Sequence, residues 1–406
     1  MLSFEEALAR LLAAAPAVAE VEALSTRHAD RRVLAQAQTA TVDAPPLDNS
    51  AMDGYAVAVA DVPRVGTSLP VTQRPVTQRI PAGSVGSRLR PGSAARIFTG
   101  APIPPGADAV VMQELCEHDA GEVQINHRPQ IGEHVRRSGS DIAAGSEILA
   151  CGQRLRPQDT ALAASVGIAS LPVFRRLRVA VLCTGNELRM PGETLPPGAI
   201  YNANRFLLAA LLERLGCVVQ DAGAVADTLP AMQVALRAAA SDNDLVITSG
   251  GVSVGEEDHV RAAVELAGRL EMWKVAMKPG KPLAFGHLAT NGREIPFVGL
   301  PGNPVSCLVT FVMLVRPLLL RMQGVRQVSP ASYRLHADFD WPFPDARREF
   351  LRVRSNAGGG VELFGNQGSG VLTSTVWGDG LVDNAPQQVV RRGDAVSFIP
   401  FAALLD

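Results

Sequence analysis

Lys274, Lys278 and Lys281 fall within the ten residues WKVAMKPGKP (273–282), and every other residue among the chain's 38 basic ones is arginine. No acid occurs from 272 to 287. A lysine ammonium is a compact, strongly hydrated point charge, whereas a guanidinium is a planar fork. Three of the former on one turn suit a small tetrahedral oxyanion. The turn pair Pro279-Gly280 is expected to bring Lys278 and Lys281 to one side.

The second chemical feature is a set of polar and glycine residues after apolar runs. LRVAVLC is followed by TGNEL, with Thr184 and Glu187. CVVQDAGAV is followed by Asp227. DLVI is followed by TSGGVSVGEED, with Ser249, Gly250, Gly251, Ser253 and Asp258. IPFVGL is followed by PGNPVS, with Pro301, Asn303, Pro304 and Ser306. Glu187, Asp227 and Asp258 are three carboxylates at three run ends, and oxygen ligands of that kind suit Mg²⁺, which bridges to substrate phosphates. Asn303 fits a helix N-cap and Pro304 the first helical position, leaving the N–H groups of Val305 and Ser306 to face an anion. The alternative for any one of these loops is an ordinary turn. G-x-x-x-x-G-K-[ST] is absent, since Pro282 follows Lys281, and no G-x-G-x-x-G follows a strand; kinase-type and dinucleotide-type readings lose support.

The elements that must position these groups follow from periodicity. Residues 175–325 alternate apolar strands with helical stretches such as ANRFLLAALLERLG and LPAMQVALRAAAS. That rhythm predicts an open, mostly parallel α/β sheet, with ligands beyond the carboxyl ends of its strands. Residues 43–142 carry short β-rich runs broken by PAGS, RPGS and APIPPGAD, the texture of a small inserted β domain. Residues 1–42 and 143–174 read as helical and are expected to pack together. Residues 326–406 return to β texture and predict a C-terminal β-barrel-like domain. The fold class is therefore α/β multidomain.

At 406 residues the chain calls for several cores. Its 47% hydrophobic and 19% charged content suits a globular protein, and a net charge of −2 gives no footprint for nucleic acid. Five scattered cysteines without a C-x-x-C pair argue against a disulfide framework and favour a reducing, cytoplasmic setting. At the N-terminus, Glu5 and Glu6 stand where a signal peptide would be basic, and Ser3 with Glu6 predicts a capping box. The apolar stretch LVTFVMLV stops at Arg316, so no membrane span is expected.

Six motifs together resemble one family: DNSAMDGYA (48–56), RIFTGAPIP (96–104), TGNEL (184–188), ITSGGVSVGEED (247–258), MKPGKP (277–282) and GLPGNPVS (299–306). In this order they look like the molybdopterin molybdenumtransferases, the MoeA family, whose eukaryotic relatives include the E domain of gephyrin. The resemblance implies insertion of molybdenum from molybdate into adenylylated molybdopterin. The adenylyl bond is hydrolysed, AMP is released, and Mg²⁺ is required. It also implies an elongated homodimer with a cleft built by both subunits, and a transient contact with the molybdopterin adenylyltransferase. Family positions fall on Asp53, Thr99, Asp141, Glu187, Asp227, Asp258, Lys274, Lys278, Lys281, Arg352 and Ser369. The resemblance puts molybdate near Lys278, Lys281, Ser306, Arg352 and Ser369. One departure is Asn186, where many members carry Asp, so Asn186 is left out of the metal set. A scaffold role of the gephyrin kind calls for extra modules and a long linker, and a paralogue with altered chemistry conflicts with the retained acids and lysines.

Overall fold

The computed structural model describes residues 1–62, 73–251, 259–290 and 292–405. Ser253 and Asp258 lie outside the described residues.

The central α/β unit is a six-stranded sheet in the order Val218–Val225, Arg178–Thr184, Leu245–Ser249, Arg293–Leu300, Pro282–Thr290, Gly268–Lys274. The first four are parallel neighbours. The last two add an antiparallel extension, so the sheet is mixed. Arg178–Thr184 and Leu245–Ser249 are buried along almost their whole length, which is why they read as continuous apolar runs. Register decides where the loops emerge. Cys183 pairs with Ser249, Ser249 with Leu300, and Thr184 with Val225. The carboxyl ends of four strands are therefore level, and the loops after them open on one side.

One long helix, Pro304–Met322, runs under this sheet, with a π-helical turn at Phe311–Val315. At 19 residues, with a mean hydropathy of 1.8 in its most apolar window, it meets the length and composition of a membrane span. Yet 94% of its most apolar window is buried inside the protein, in the largest core.

The capping box forms as expected: Glu6 N–H donates to Ser3 Oγ at 3.0 Å, and Ser3 N–H to Glu6 Oε2 at 2.8 Å. The helix Phe4–Ala13 does not pack with 143–174. Its Phe4, Ala7 and Leu11 join the core of the α/β unit, and Phe4 meets Phe350 edge-on at 5.5 Å. The rest of 1–42 and 143–174 does come together, but through strands. Val21–Ser25 pairs antiparallel with Ser170–Phe174, and Gln38–Thr39 with Glu147–Leu149. Leu34, Leu155 and Leu171 fill the small core between them. The helix expected in 143–174 is confined to Pro157–Ser165.

Between these segments stands a six-stranded sheet in the order Ala109–Met112, Gly54–Val57, Ala94–Ile97, Gln73–Ile80, Glu122–Ile125, Cys116–Asp119. The C-terminal strands close a five-stranded barrel in the order Arg348–Ser355, Gly360–Leu363, Tyr333–Ala337, Ala395–Pro400, Gly380–Asn384, with the last pairing back on the first. Closure leaves no edge within the ring. The barrel is stitched to the α/β unit by a parallel pairing of Met277–Lys278 with its first strand, Met277 opposite Arg348 and Lys278 opposite Glu349.

Candidate active site between the sheet and the barrel

Two adjoining hollows lie beyond the level strand ends. The larger, about 560 Å³, is lined by Gly250, Gly251, Lys278, Lys281, Pro301, Ser306, Arg347 and Ser369 among others. The second, about 430 Å³, is lined by Thr184, Glu187, Ser249 and Pro304 among others. Gly250, Gly302 and Asn303 belong to both, so the two form one groove.

Backbone conformation shapes its floor. Gly250 has φ +88°, and a Cβ there would meet Thr184 O at 2.9 Å. Gly280 has φ +103°, and a Cβ there would meet Thr310 Oγ1 at 2.4 Å. Glycine is thus required for the lysine turn to pack directly on the helix that starts at Pro304.

Lys278 and Lys281 both face the larger hollow, as the turn pair predicts. The acids missing from the lysines' own stretch arrive from the barrel. Lys278 Nζ lies 2.9 Å from Glu349 Oε1 and 3.6 Å from Asp345 Oδ2. Glu349 Oε2 accepts from Trp341 Nε1 at 2.8 Å and Asn384 Nδ2 at 3.4 Å. Hydrogen bonds from Arg347, which lines the groove, hold the Asp345 carboxyl well below the usual carboxylate range, and nearby Lys278 lowers it further. Lys274 differs: it is exposed on the sheet's edge strand and does not line either hollow.

The helix start is also different from the simple anion nest expected. Pro304 does occupy the first turn, but the Val305 N–H donates to Ser369 O at 3.0 Å, so it is not free. Asn303 makes no capping bond with its side chain and instead donates through Nδ2 to Ser369 Oγ at 3.2 Å. The barrel loop 366–369 is thereby docked on the helix N-terminus.

Arg352 does not reach the groove. It is 1% exposed and donates to Ser374 Oγ, Phe350 O and Gly368 O at 3.2, 3.2 and 3.3 Å. Burial pushes its pKa down to about 10. Its backbone N–H donates to Gln367 Oε1 at 2.9 Å, so it holds the loop that carries Ser369 from behind. Sequence reasoning missed Arg347, Gln367 and Glu349. Only their place beside Lys278 across the sheet–barrel junction gives them away.

On the acidic side, Thr184 Oγ1 donates to Asp227 Oδ1 at 3.2 Å, and Glu187 lines the same hollow as Thr184. Among the described residues no three His, Cys, Asp or Glu side chains cluster closely enough for a metal. Glu187 and Asp227 offer carboxylate oxygens, the donor type that Mg²⁺ takes, on the side of the groove near Thr184. Ser249 Oγ accepts from the buried Asn204 Nδ2 at 2.8 Å, and the same amide donates to Gly302 O at 2.8 Å, tying two strand-end loops together.

Asp53, Thr99 and Asp141 are not on the groove of their own chain. Asp53 Oδ1 accepts from both the N–H and the hydroxyl of Thr99, each at 2.8 Å. Those two bonds draw the Asp53 pKa down. Asp141 is exposed, and its N–H donates to Ala44 O.

The strand-end groove, the inserted sheet and the closed barrel define a class. Family models cover nearly the whole chain in consecutive blocks: the MoeA N-terminal region (domain I and II) over residues 2–167, a probable molybdopterin binding domain over 180–321, and the MoeA C-terminal region (domain IV) over 334–401. The chain belongs to the molybdopterin molybdenumtransferase family, transferases of molybdenum cofactor biosynthesis. It is 39% identical to the molybdopterin molybdenumtransferase of Haemophilus influenzae over the full length of both chains. Against that of Bacillus subtilis it is 36% identical, covering 82% of this chain and 78% of the relative. Among solved structures, a molybdopterin biosynthesis moeA protein from Pyrococcus horikoshii OT3 superposes with a TM-score of 0.83 at 27% identity, covering 98% of this chain and 100% of that one.

Proposed function

We propose that the groove inserts molybdenum from molybdate into adenylylated molybdopterin, with hydrolysis of the adenylyl bond and release of AMP. The observation that supports this most is the meeting of Lys278 and Lys281 with Ser306 and the barrel's Ser369 around one hollow. Two ammonium groups and two hydroxyls suit a tetrahedral dianion. The lysines supply fixed positive charge, and the hydroxyls donate to its oxygens. Arg352 acts through the loop it holds rather than by contact. Thr184 positions Asp227, and Glu187 and Asp227 are the described residues that would hold Mg²⁺. When bound, the ion polarises a phosphoryl oxygen. No described side chain in the groove is placed as a covalent nucleophile, and water is the simplest attacking group.

Asp53, Thr99 and Asp141 enter the same reading through a second copy of the chain. In a homodimer the inserted domain of one subunit closes the groove of the other, in a cytoplasmic enzyme. Mixing chains that carry Asp53→Ala with chains that carry Lys281→Ala tests the arrangement. Activity well above either variant alone is expected, and no recovery would contradict a shared site.

The functional test is an assay of the purified wild-type chain with adenylylated molybdopterin, molybdate and Mg²⁺. AMP release and molybdenum insertion are expected in step, both falling when Mg²⁺ is chelated. AMP release without molybdenum insertion would overturn the reading.

A further inference from the structure

The motifs MDGYA and RIFTG contribute more than Asp53 and Thr99. Arg96 pairs across strands with Tyr55 on one side and Arg79 on the other. Residues paired this way share a face, so the three form a row across the inserted sheet. Both guanidinium groups stack on one ring: Arg79 Cζ lies 4.6 Å and Arg96 Cζ 4.9 Å from the centroid of Phe98. Arg96 Cζ is also 5.1 Å from the Tyr55 ring. Phe98 is followed directly by Thr99, which binds Asp53.

Among the described residues neither guanidinium makes a direct ion pair with a carboxylate, although Arg96 lies close enough to Asp53 for its charge to help lower that carboxyl's pKa. Arg96 donates to Gln113 Oε1 at 2.6 Å and to Gly54 O at 3.4 Å, and Arg79 makes no hydrogen bond there at all. Like charges opposed across strands are unfavourable, and cation–π contact offsets only part of that repulsion. An anion lying against both would remove the rest. Stacking occupies the flat faces of the guanidinium groups and leaves the N–H edge of Arg79 and the remaining N–H groups of Arg96 to donate, and guanidinium N–H groups match phosphoryl oxygens in pairs. Two separate forks suit two linked phosphoryl groups better than one compact tetrahedral ion.

We propose that Arg79 and Arg96, stacked on Phe98, clamp the pyrophosphate bridge of the adenylylated substrate beside Asp53. The inference rests on the functional reading above and adds a binding site to it. Molybdate and the phosphoryl groups then have separate basic sites, lysines for the first and arginines for the second.

Inorganic pyrophosphate, titrated calorimetrically into the wild-type chain and into Arg79→Gln, Arg96→Gln and Arg79→Lys, tests the clamp. Arg79 is exposed, so its replacement leaves the fold intact; thermal melting checks this. Arg79→Gln and Arg96→Gln are each expected to weaken pyrophosphate binding about tenfold or more, since each removes a charged hydrogen-bond donor. Arg79→Lys should fall between Arg79→Gln and wild type. In turnover, the KM for adenylylated molybdopterin should rise with kcat largely kept. Wild-type pyrophosphate affinity in both glutamine variants, or no binding by the wild-type chain, overturns the clamp. A wild-type chain that inserts no molybdenum, yet loses pyrophosphate binding with Arg79→Gln, would contradict the functional reading and support the clamp.

Discussion

Lys278 and Glu349 stand opposite each other where the α/β unit joins the barrel, 2.9 Å apart, with the glutamate side chain only 1% exposed and the lysine 39% exposed. One end of the pair is anchored in the barrel, and the other opens into the groove. Trp341 strengthens the arrangement: its indole N–H binds the second carboxylate oxygen, and its ring lies 5.8 Å from the ammonium. The lysine's charge is thus aimed from the far side of a domain junction.

Glu349→Gln keeps the volume and removes the charge. Lys278 then loses its closest charged anchor and shifts toward Asp345, and a displacement of about 1 Å in a binding group can cost roughly 10²-fold in rate. The variant should fold, bind the pterin substrate and insert molybdenum at least about tenfold more slowly at low molybdate. Initial rates across a molybdate series check this, and unchanged rates would show that Lys278 needs no anchor.

Arg352→Lys probes the loop behind Ser369. Arg352 reaches Ser374, Phe350 and Gly368 from three different nitrogens, and the single ammonium nitrogen of a lysine cannot span all three. The expected cost is about 1–3 kcal/mol of stability, with a raised half-saturation for molybdate. Urea unfolding and turnover read the two effects. A variant as stable and as active as wild type would mean that positive charge alone is needed there.

Asp345 gives a signed dependence on pH. Arg347 lowers its pKa in the folded chain, and Lys278 adds to this. A carboxylate depressed on folding contributes stability that is full above its unfolded value, about pH 4, and is lost as pH falls through the folded value. Asp345→Asn should therefore be less stable than wild type at pH 6, with the gap narrowing steadily below pH 4. Chemical unfolding at a series of pH values measures the gap, and a constant gap would sever it from ionisation.

Much of this was legible before the structure. Strand ends at Thr184, Ser249 and Leu300 could be read from apolar runs, and their level register follows from parallel pairing. The capping box of Ser3 and Glu6 is a local pattern and needs only local residues. The strand Val21–Ser25 was not legible, because VEALS has no strong strand signature and its partner lies at 170–174, far along the chain. The same holds for the groove. Lysines spaced on a turn announce a charge site, but the acids that hold Lys278 come from 345 and 349 in a different domain. Arg352 matched a family position outside the quoted motifs, yet burial decides its role, and burial depends on how the barrel closes around it.

The most direct test of the account is molybdenum insertion across a molybdate titration by Lys274→Arg, Lys278→Arg and Lys281→Arg. Lys278 and Lys281 line the groove, where a larger planar fork displaces a small oxyanion from its contacts. Lys274 does not line it. The account predicts near wild-type half-saturation for Lys274→Arg and a rise of tenfold or more, about 1.4 kcal/mol or greater, for each of the other two. Equal titration curves for all three variants and the wild-type chain would contradict it.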